Sequence, residues 1–205
     1  MNKFTIEEGR KPVQARSKQR VKLILDTAIQ MILDENVEAL SMNELAHNAN
    51  LPVGSVYQYF PSKRALLKSL LEDHLALINK EVNEILNTIS DKASLVLGIR
   101  KAINTTFEIA YGNDLGQKLW AGTQYDPALR KIQDDDGQTY AQILASKFAE
   151  TLGIEVTEKF LIQCSIYIAS MDACLRSVVD AKAETQQKYI QEIGDLILRE
   201  LKLLN

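Results

Sequence analysis

The sequence predicts an all-α chain of about nine helices, a small three-helix unit followed by a larger helical body. Three observations carry this. Apolar residues recur at helical spacing through most of the 205 positions, and no strand-like alternation of any length appears. Only four prolines and nine glycines are present, so long helices are possible. Between Ser41 and Lys63, two short helix patterns flank a tight turn, a rhythm unlike that of the long elements that follow.

In chain order, residues 1–13 read as a loose polar leader. From about Ala15, Val21, Ile24, Leu25, Ala28, Ile29, Ile32 and Leu33 recur on one helical face, and the pattern stops near Asn36. Ser41-Met42-Asn43-Glu44 is a capping box, in which hydroxyl and carboxylate satisfy free N–H groups at a helix start. The short helix that follows runs from Met42 to about Asn48, and Asn50 makes the turn. Pro52 opens a second short helix, because its ring suits the first turn and it has no N–H to leave orphaned. Pro61 closes that helix by clashing with the preceding turn. Ser62 can cap the next helix, which carries Leu66, Leu67, Leu70, Leu71, Leu75 and Ile78. Beyond Asn87, helices are expected over 92–111, 114–123, 127–152, 157–181 and 184–204. The breaks fall at Gly112-Asn113, Asp126-Pro127, Gly153 and Ala181-Lys182. The expected domains are 1–13 (leader), 14–62 (short-helix domain) and 63–205 (body), the helix after Ser62 joining the last two.

Charge is uneven. The net value is -3, but residues 1–64 hold nine Lys/Arg and seven Asp/Glu, whereas residues 65–205 hold fifteen and twenty. Residues 10–22 carry Arg10, Lys11, Arg16, Lys18, Arg20 and Lys22 with no acid. A basic front end on an acidic body suggests an anionic partner at that end; a solvated basic tail accounts for the charge equally well. Cys164 and Cys174 would lie roughly 15 Å apart on one helix, too far for a disulfide, and read as small core residues of a cytosolic protein. The leader has no apolar stretch of the secretory kind, and the uncharged apolar run Phe160–Met171 is too short to span a bilayer. A cytoplasmic location is therefore expected, with no membrane partner. His47 and His74 match no metal-ligand spacing, neither cysteine has an evident histidine partner, and there is no glycine-rich phosphate loop. Neither catalysis nor a metal is expected. Asp134-Asp135-Asp136 before Gly137 reads as a solvated loop or a helix kink.

The second short helix carries the chemistry. Val56 and Phe60 share a face that can pack on Leu45, Ala46, Ala49, Leu66 and Leu67. Val53, Gly54, Ser55, Tyr57 and Gln58 are left facing outward, with Tyr59 at the edge. Glycine inside a helix costs about 1 kcal/mol relative to alanine, which makes sense where another surface must approach the backbone. Tyrosine, serine and lysine donors around a helix suit phosphate contacts, which fix register without reading sequence. Val53, Gly54, Ser55 and Gln58 remain to meet base edges: Gln58 for adenine, Val53 for a thymine methyl, Ser55 for either.

Those residues are where the chain resembles the tetracycline-repressor (TetR) family of bacterial transcriptional regulators. The likeness covers about residues 14–70: Ala15-Arg16-Ser17, Ser41, Leu45-Ala46, Ala49-Asn50-Leu51, the run Val53–Lys63, and Ala65-Leu66-Leu67. The family usually has glycine where this chain has Asn50, and asparagine tolerates the same left-handed turn. The resemblance implies a helix-turn-helix DNA-binding domain on a helical ligand-binding and dimerisation domain. Carried onto matching positions, Ser41, Tyr57, Tyr59 and Lys63 are expected on phosphates and Val53, Gly54, Ser55 and Gln58 on the base-facing surface. Arg16 and Lys18, placed before the first helix, are expected at the DNA backbone or minor groove; solubilising charge is the competing account.

The resemblance also implies that the last two helices pair with a second subunit. Leu161 and Ile168, with Ile190, Ile193, Ile197 and Leu201 on the final helix, are the candidate dimer-interface residues; inward packing explains the same stripes. Candidate pocket residues are the aromatic and polar groups within apolar stretches: Asn104, Phe107, Tyr111, Trp120, Tyr125, Gln163, Tyr167, Met171 and Arg176. Arg176 can also pair with Asp172 one turn earlier. The function expected is a ligand-responsive repressor, binding a palindromic operator as a homodimer and released by a small-molecule inducer; the ligand is an unidentified inducer or co-repressor, and no other cofactor is expected. The alternatives are a helical small-molecule-binding protein with a vestigial DNA-binding unit and an all-helical enzyme. The second lacks any clustered acids or histidines to support it.

Overall fold

The computed structural model describes residues 10–203. Among them are nine helices and no strand: α1 Arg10–Asp34, α2 Met42–Asn48, α3 Val53–Tyr59, α4 Lys63–Asn87, α5 Lys92–Ala110, α6 Asp114–Thr123, α7 Pro127–Leu152, α8 Glu158–Arg176 and α9 Ala183–Glu200. The chain divides into two compact units, one ending at Leu70 and one beginning at Leu71, so that α4 contributes to both. α1 begins at Arg10, inside the stretch expected as a leader; the rest of that stretch lies outside the described residues.

In the first unit the chain turns where its local chemistry directs. The Ser41 hydroxyl accepts from Glu44 N at 3.2 Å, one half of the expected capping box. Asn50 adopts φ 51, and around it Leu51 N donates to Ala46 O at 2.9 Å and Asn50 N to His47 O at 3.0 Å. That pair of bonds is a Schellman closure of α2, with asparagine taking the left-handed position. Pro52 precedes α3, and the Ser62 hydroxyl accepts from Ala65 N at 3.1 Å to cap α4. Ile24, Ala28 and Ile32 from α1, Leu45 and Ala46 from α2 with Ala49 at its C-cap, Val56 from α3 with Phe60 at its C-cap, and Leu66 and Leu67 from α4 are all buried.

In the second unit α7 packs on α8, α5 on α7 and α9, and α8 on α9. The core holds Leu95, Ile99, Phe107, Leu144, Phe148, Cys164, Leu175 and Leu198. Gly153 ends α7 at φ 67, a backbone position that favours glycine. α8 stops at Arg176, five residues short of the expected end: residues 177–181 form turns, and Gln186 Nε2 caps them by donating to Val178 O at 3.2 Å and Val179 O at 2.8 Å. The Arg100 guanidinium pairs with Asp195, joining α5 to α9.

Two expectations are corrected here. Asp134-Asp135-Asp136 forms no loop but sits inside the 26-residue α7. Asp134 and Asp135 pair with Arg130 and Lys131 one turn earlier, at 3.9 and 2.7 Å, while Asp136 turns inward to accept from Asn79 Nδ2 at 2.7 Å. The candidate dimer stripe also faces the chain's own core: Ile190, Ile193 and Ile197 are 6%, 7% and 4% exposed, and Leu161, Ile168 and Leu201 pack half-buried against the same cluster. The large apolar side chains left exposed on these helices are Ile162 and Ile166 of α8 and Tyr189 and Leu196 of α9.

Candidate nucleic-acid interface

The first unit sorts the residues of α3 into two faces. Val56, fully buried, and Phe60, 5% exposed, anchor the helix. Val53, Gly54, Tyr57 and Gln58 are exposed, with Ser55 and Tyr59 half-buried beside them. A Cβ added to Gly54 meets nothing within 4 Å, so no neighbour in the chain requires glycine there. The result is a short ridge of small and polar groups over an apolar base, a form that fits a major groove.

The donors expected to meet phosphate surround this ridge unevenly. Ser41 is exposed; its oxygen is engaged as the α2 cap, which leaves the O–H to donate outward. Lys63 is half-buried, and its ammonium donates to the Glu38 carbonyl at 2.9 Å, tying the α1–α2 connection to the start of α4. Burial pushes this ammonium below the ordinary lysine value, and the Glu38 carboxylate offsets part of that. Its remaining donors are what phosphate could use. Arg16 and Lys18 are exposed but lie within α1 rather than ahead of it, so they stand on a helix and not on an arm able to enter a minor groove. The structural role of Lys63 was invisible in the sequence, because its acceptor is a backbone carbonyl 25 residues away.

The chain matches two family models: "Bacterial regulatory proteins, tetR family" over residues 24–70, and "Tetracyclin repressor-like, C-terminal domain" over residues 113–204. It belongs to the TetR family of transcriptional regulators. TetR-family proteins are DNA-binding regulators and not enzymes, and the all-helical, two-part fold here is the family's own. Among curated relatives, the uncharacterized regulator YuxN of Bacillus subtilis is 32% identical over 91 residues, 44% of this chain and 30% of that protein. The repressor NemR of Escherichia coli K12 is 34% identical over 65 residues, 32% of this chain and 33% of that one. The repressor KstR of Rhodococcus jostii is 43% identical over 54 residues, 26% of each. The chain thus spans a third or less of each of these relatives. Solved structures extend the likeness of fold. The fatty acid degradation regulator FadR of Bacillus halodurans has TM-score 0.66 at 16% identity, covering 87% of this chain and 94% of that one. A transcriptional regulator of Cytophaga hutchinsonii has TM-score 0.66 at 16% identity, covering 88% and 97%.

Within the body of this TetR-family chain, the pocket candidates separate. Tyr111, Trp120 and Arg176 come together, with Asp172 as the member that the pocket reading omitted. Gln163 and Tyr167 line a different, open cleft of about 360 Å³, with Lys92, Leu152, Phe160, Glu200 and Leu203 among its walls. Phe107 is ordinary core and Met171 packs half-buried against it. Asn104 bonds Glu108 within α5 at 2.7 Å. Tyr125, 86% exposed after α6, does not line that cleft. A further polar group, unread in the sequence, joins α4 to α7: Tyr140 donates to Asn79 O at 3.4 Å beside the Asn79–Asp136 bond. Burial pushes the Asp136 carboxyl up. Among the described residues no group of His, Cys, Asp and Glu could hold a metal ion, and no helix is long and apolar enough to cross a membrane.

Proposed function

We propose that this regulator represses transcription as a homodimer on a palindromic operator and releases it when a small molecule binds the body. The observation that carries the reading is α3: two buried anchors, Val56 and Phe60, hold out Val53, Gly54, Ser55 and Gln58, with the exposed Tyr57 beside them. Four small base-facing side chains give limited readout for one subunit, since each good base contact is worth about 1–3 kcal/mol of discrimination. Two copies double it, with half-sites about 34 Å apart. Ser41, Tyr57, Tyr59 and the free donors of Lys63 would position α3 on phosphates, with Arg16 and Lys18 on the flank.

The second copy has a face to use. Ile162 and Ile166 are 54% and 55% exposed on α8, Leu196 and Tyr189 50% and 44% on α9, and Ala169 and Ala173 continue the α8 stripe. Small residues let a second helix approach closely, so two such pairs can form a four-helix bundle. Release on ligand binding needs only modest coupling: a 100-fold loss of DNA affinity is about 2.8 kcal/mol. Selection of bound sites from random DNA tests the reading. It should return a palindrome with half-sites one helical turn apart; enrichment of single half-sites, or of nothing, would overturn it.

A further inference from the structure

Most polar side chains of the body lie at its surface or are matched within one helix. The group around Tyr111 instead draws on three elements: Tyr111 closes α5, Trp120 lies on α6, and Asp172 and Arg176 stand one turn apart on α8. The Tyr111 ring is 6% exposed, and its hydroxyl donates to Asp172 Oδ1. Arg176 pairs with Asp172 Oδ2 and lies with Cζ 5.0 Å from the Trp120 ring centroid. One carboxylate therefore receives a phenol O–H on one oxygen and a guanidinium on the other, next to an aromatic face. Those are the donors that an organic carboxylate needs when it is bound out of water.

The partners are held unequally. The Asp172 side chain is 42% exposed and that of Arg176 27%. An ion pair between residues four apart on a partly exposed helix face is weak, and Asp172 can turn to water with little loss. Arg176 is also held by the Trp120 face, and Tyr111 by the core. An incoming anion thus displaces the more exposed aspartate, whereas an incoming cation would have to displace the less exposed arginine from both its ion pair and the Trp120 face.

We infer that Tyr111, Arg176 and Trp120 form the binding site for a small organic carboxylate with an apolar body, and that Asp172 occupies the carboxylate's place in its absence. The inference rests on the ligand-responsive reading above and names the ligand's class. Binding exchanges a pair internal to α8 for contacts that bridge α5, α6 and α8, which is how the ligand would act on helix packing.

Trp120 is the only tryptophan in the chain, so intrinsic fluorescence reports on the site directly. Benzoate and hexanoate should each give a saturable change, and their neutral counterparts benzamide and hexanamide none. Arg176→Gln should weaken carboxylate binding by about tenfold or more, the loss of a charge-assisted contact. Asp172→Asn removes the internal competitor and should tighten binding several-fold, which a purely structural role for Asp172 would not produce. Circular dichroism checks that each variant keeps its helices. Flat titrations to roughly 10 mM in both the parent and Asp172→Asn, an equal response to the amides, or weaker binding in Asp172→Asn would each overturn the inference. Mobility shifts on the selected operator run in parallel. An intact shift with flat fluorescence removes only the carboxylate site, while loss of all DNA binding removes the regulator reading.

Discussion

Gly54→Ala separates stability from DNA recognition, because the two effects have opposite signs. Gly54 is the second residue of the seven-residue α3, and a Cβ built there meets nothing within 4 Å. Alanine therefore fits the chain without moving a neighbour. Relative to glycine it favours the helix by about 0.5–1 kcal/mol, through the smaller conformational freedom of the unfolded chain. Within the protein alone the substitution is an improvement. On DNA it places a methyl on the face proposed to lie against base edges. Displacing the contacts to one base pair costs about 1–3 kcal/mol, and a dimer carries the change in both half-sites. The expected result is a raised urea midpoint for the first unit together with a fall in operator affinity of at least tenfold by fluorescence anisotropy. Unchanged affinity alongside the gain in stability would refute the close approach. A loss of stability would refute the open-space argument itself.

Three further outcomes follow from particular contacts. Lys63→Ala should weaken operator binding and flatten the log–log salt dependence by about one unit, read by anisotropy at several salt concentrations; an unchanged slope with reduced stability would confine Lys63 to its bond with Glu38 O. His74 is partly buried, its Nε2 has no hydrogen-bond partner, and burial lowers its pKa from 6.5. The folded state thus prefers the neutral ring: stability from this group is complete above 6.5 and declines as pH falls below it, where the unfolded chain takes up the proton first. His74→Leu should flatten that limb in urea midpoints measured across the acid range. Gly116→Ala should destabilise the body by about 1–3 kcal/mol in urea unfolding, because its Cβ would lie 2.8 Å from the Ala110 carbonyl carbon and 2.9 Å from Ile109 O, backbone that cannot yield as a side chain can.

What was legible in the sequence was local. Ser41, Asn50, Ser62 and Gly153 each fix a turn or cap through the backbone within a few residues of themselves, and each does so in the structure. The two faces of α3 were legible for the same reason, since a seven-residue helix with Val56 inside it and Phe60 four residues on at its C-cap has one way to sit. What escaped depends on distant partners. Lys63 reaches back 25 residues to a carbonyl, and Asp136 reaches Asn79 across 57. Three consecutive aspartates look like a loop until their basic partners one turn upstream are placed on the same helix face. Arg176 with Asp172 was visible as a helix pair, but not its meeting with Tyr111 and Trp120, which needs α5, α6 and α8 assembled.

The last two helices show why periodicity could not choose an interface. The strongest stripe on α9, Ile190, Ile193 and Ile197, reports only that one face avoids water, and the chain's own core claims it. A second chain can meet only what that core leaves over. Scattered exposed apolar residues are normal on any surface and mean nothing singly. Here Ile162 and Ile166 lie one turn apart, Ala169 and Ala173 extend the same stripe, and no charged residue interrupts the helix from Phe160 to Met171. α9, which packs on α8 within the chain, adds Tyr189 and Leu196. Charge is what an exposed helix face needs if it is to stay in water, and α9 has it around its two apolar residues while this stretch of α8 has none. In the proposed dimer, α8 therefore supplies the dry centre of the contact and α9 its charged margin. A charge introduced at Ile166 should then disrupt pairing far more than one at Tyr189.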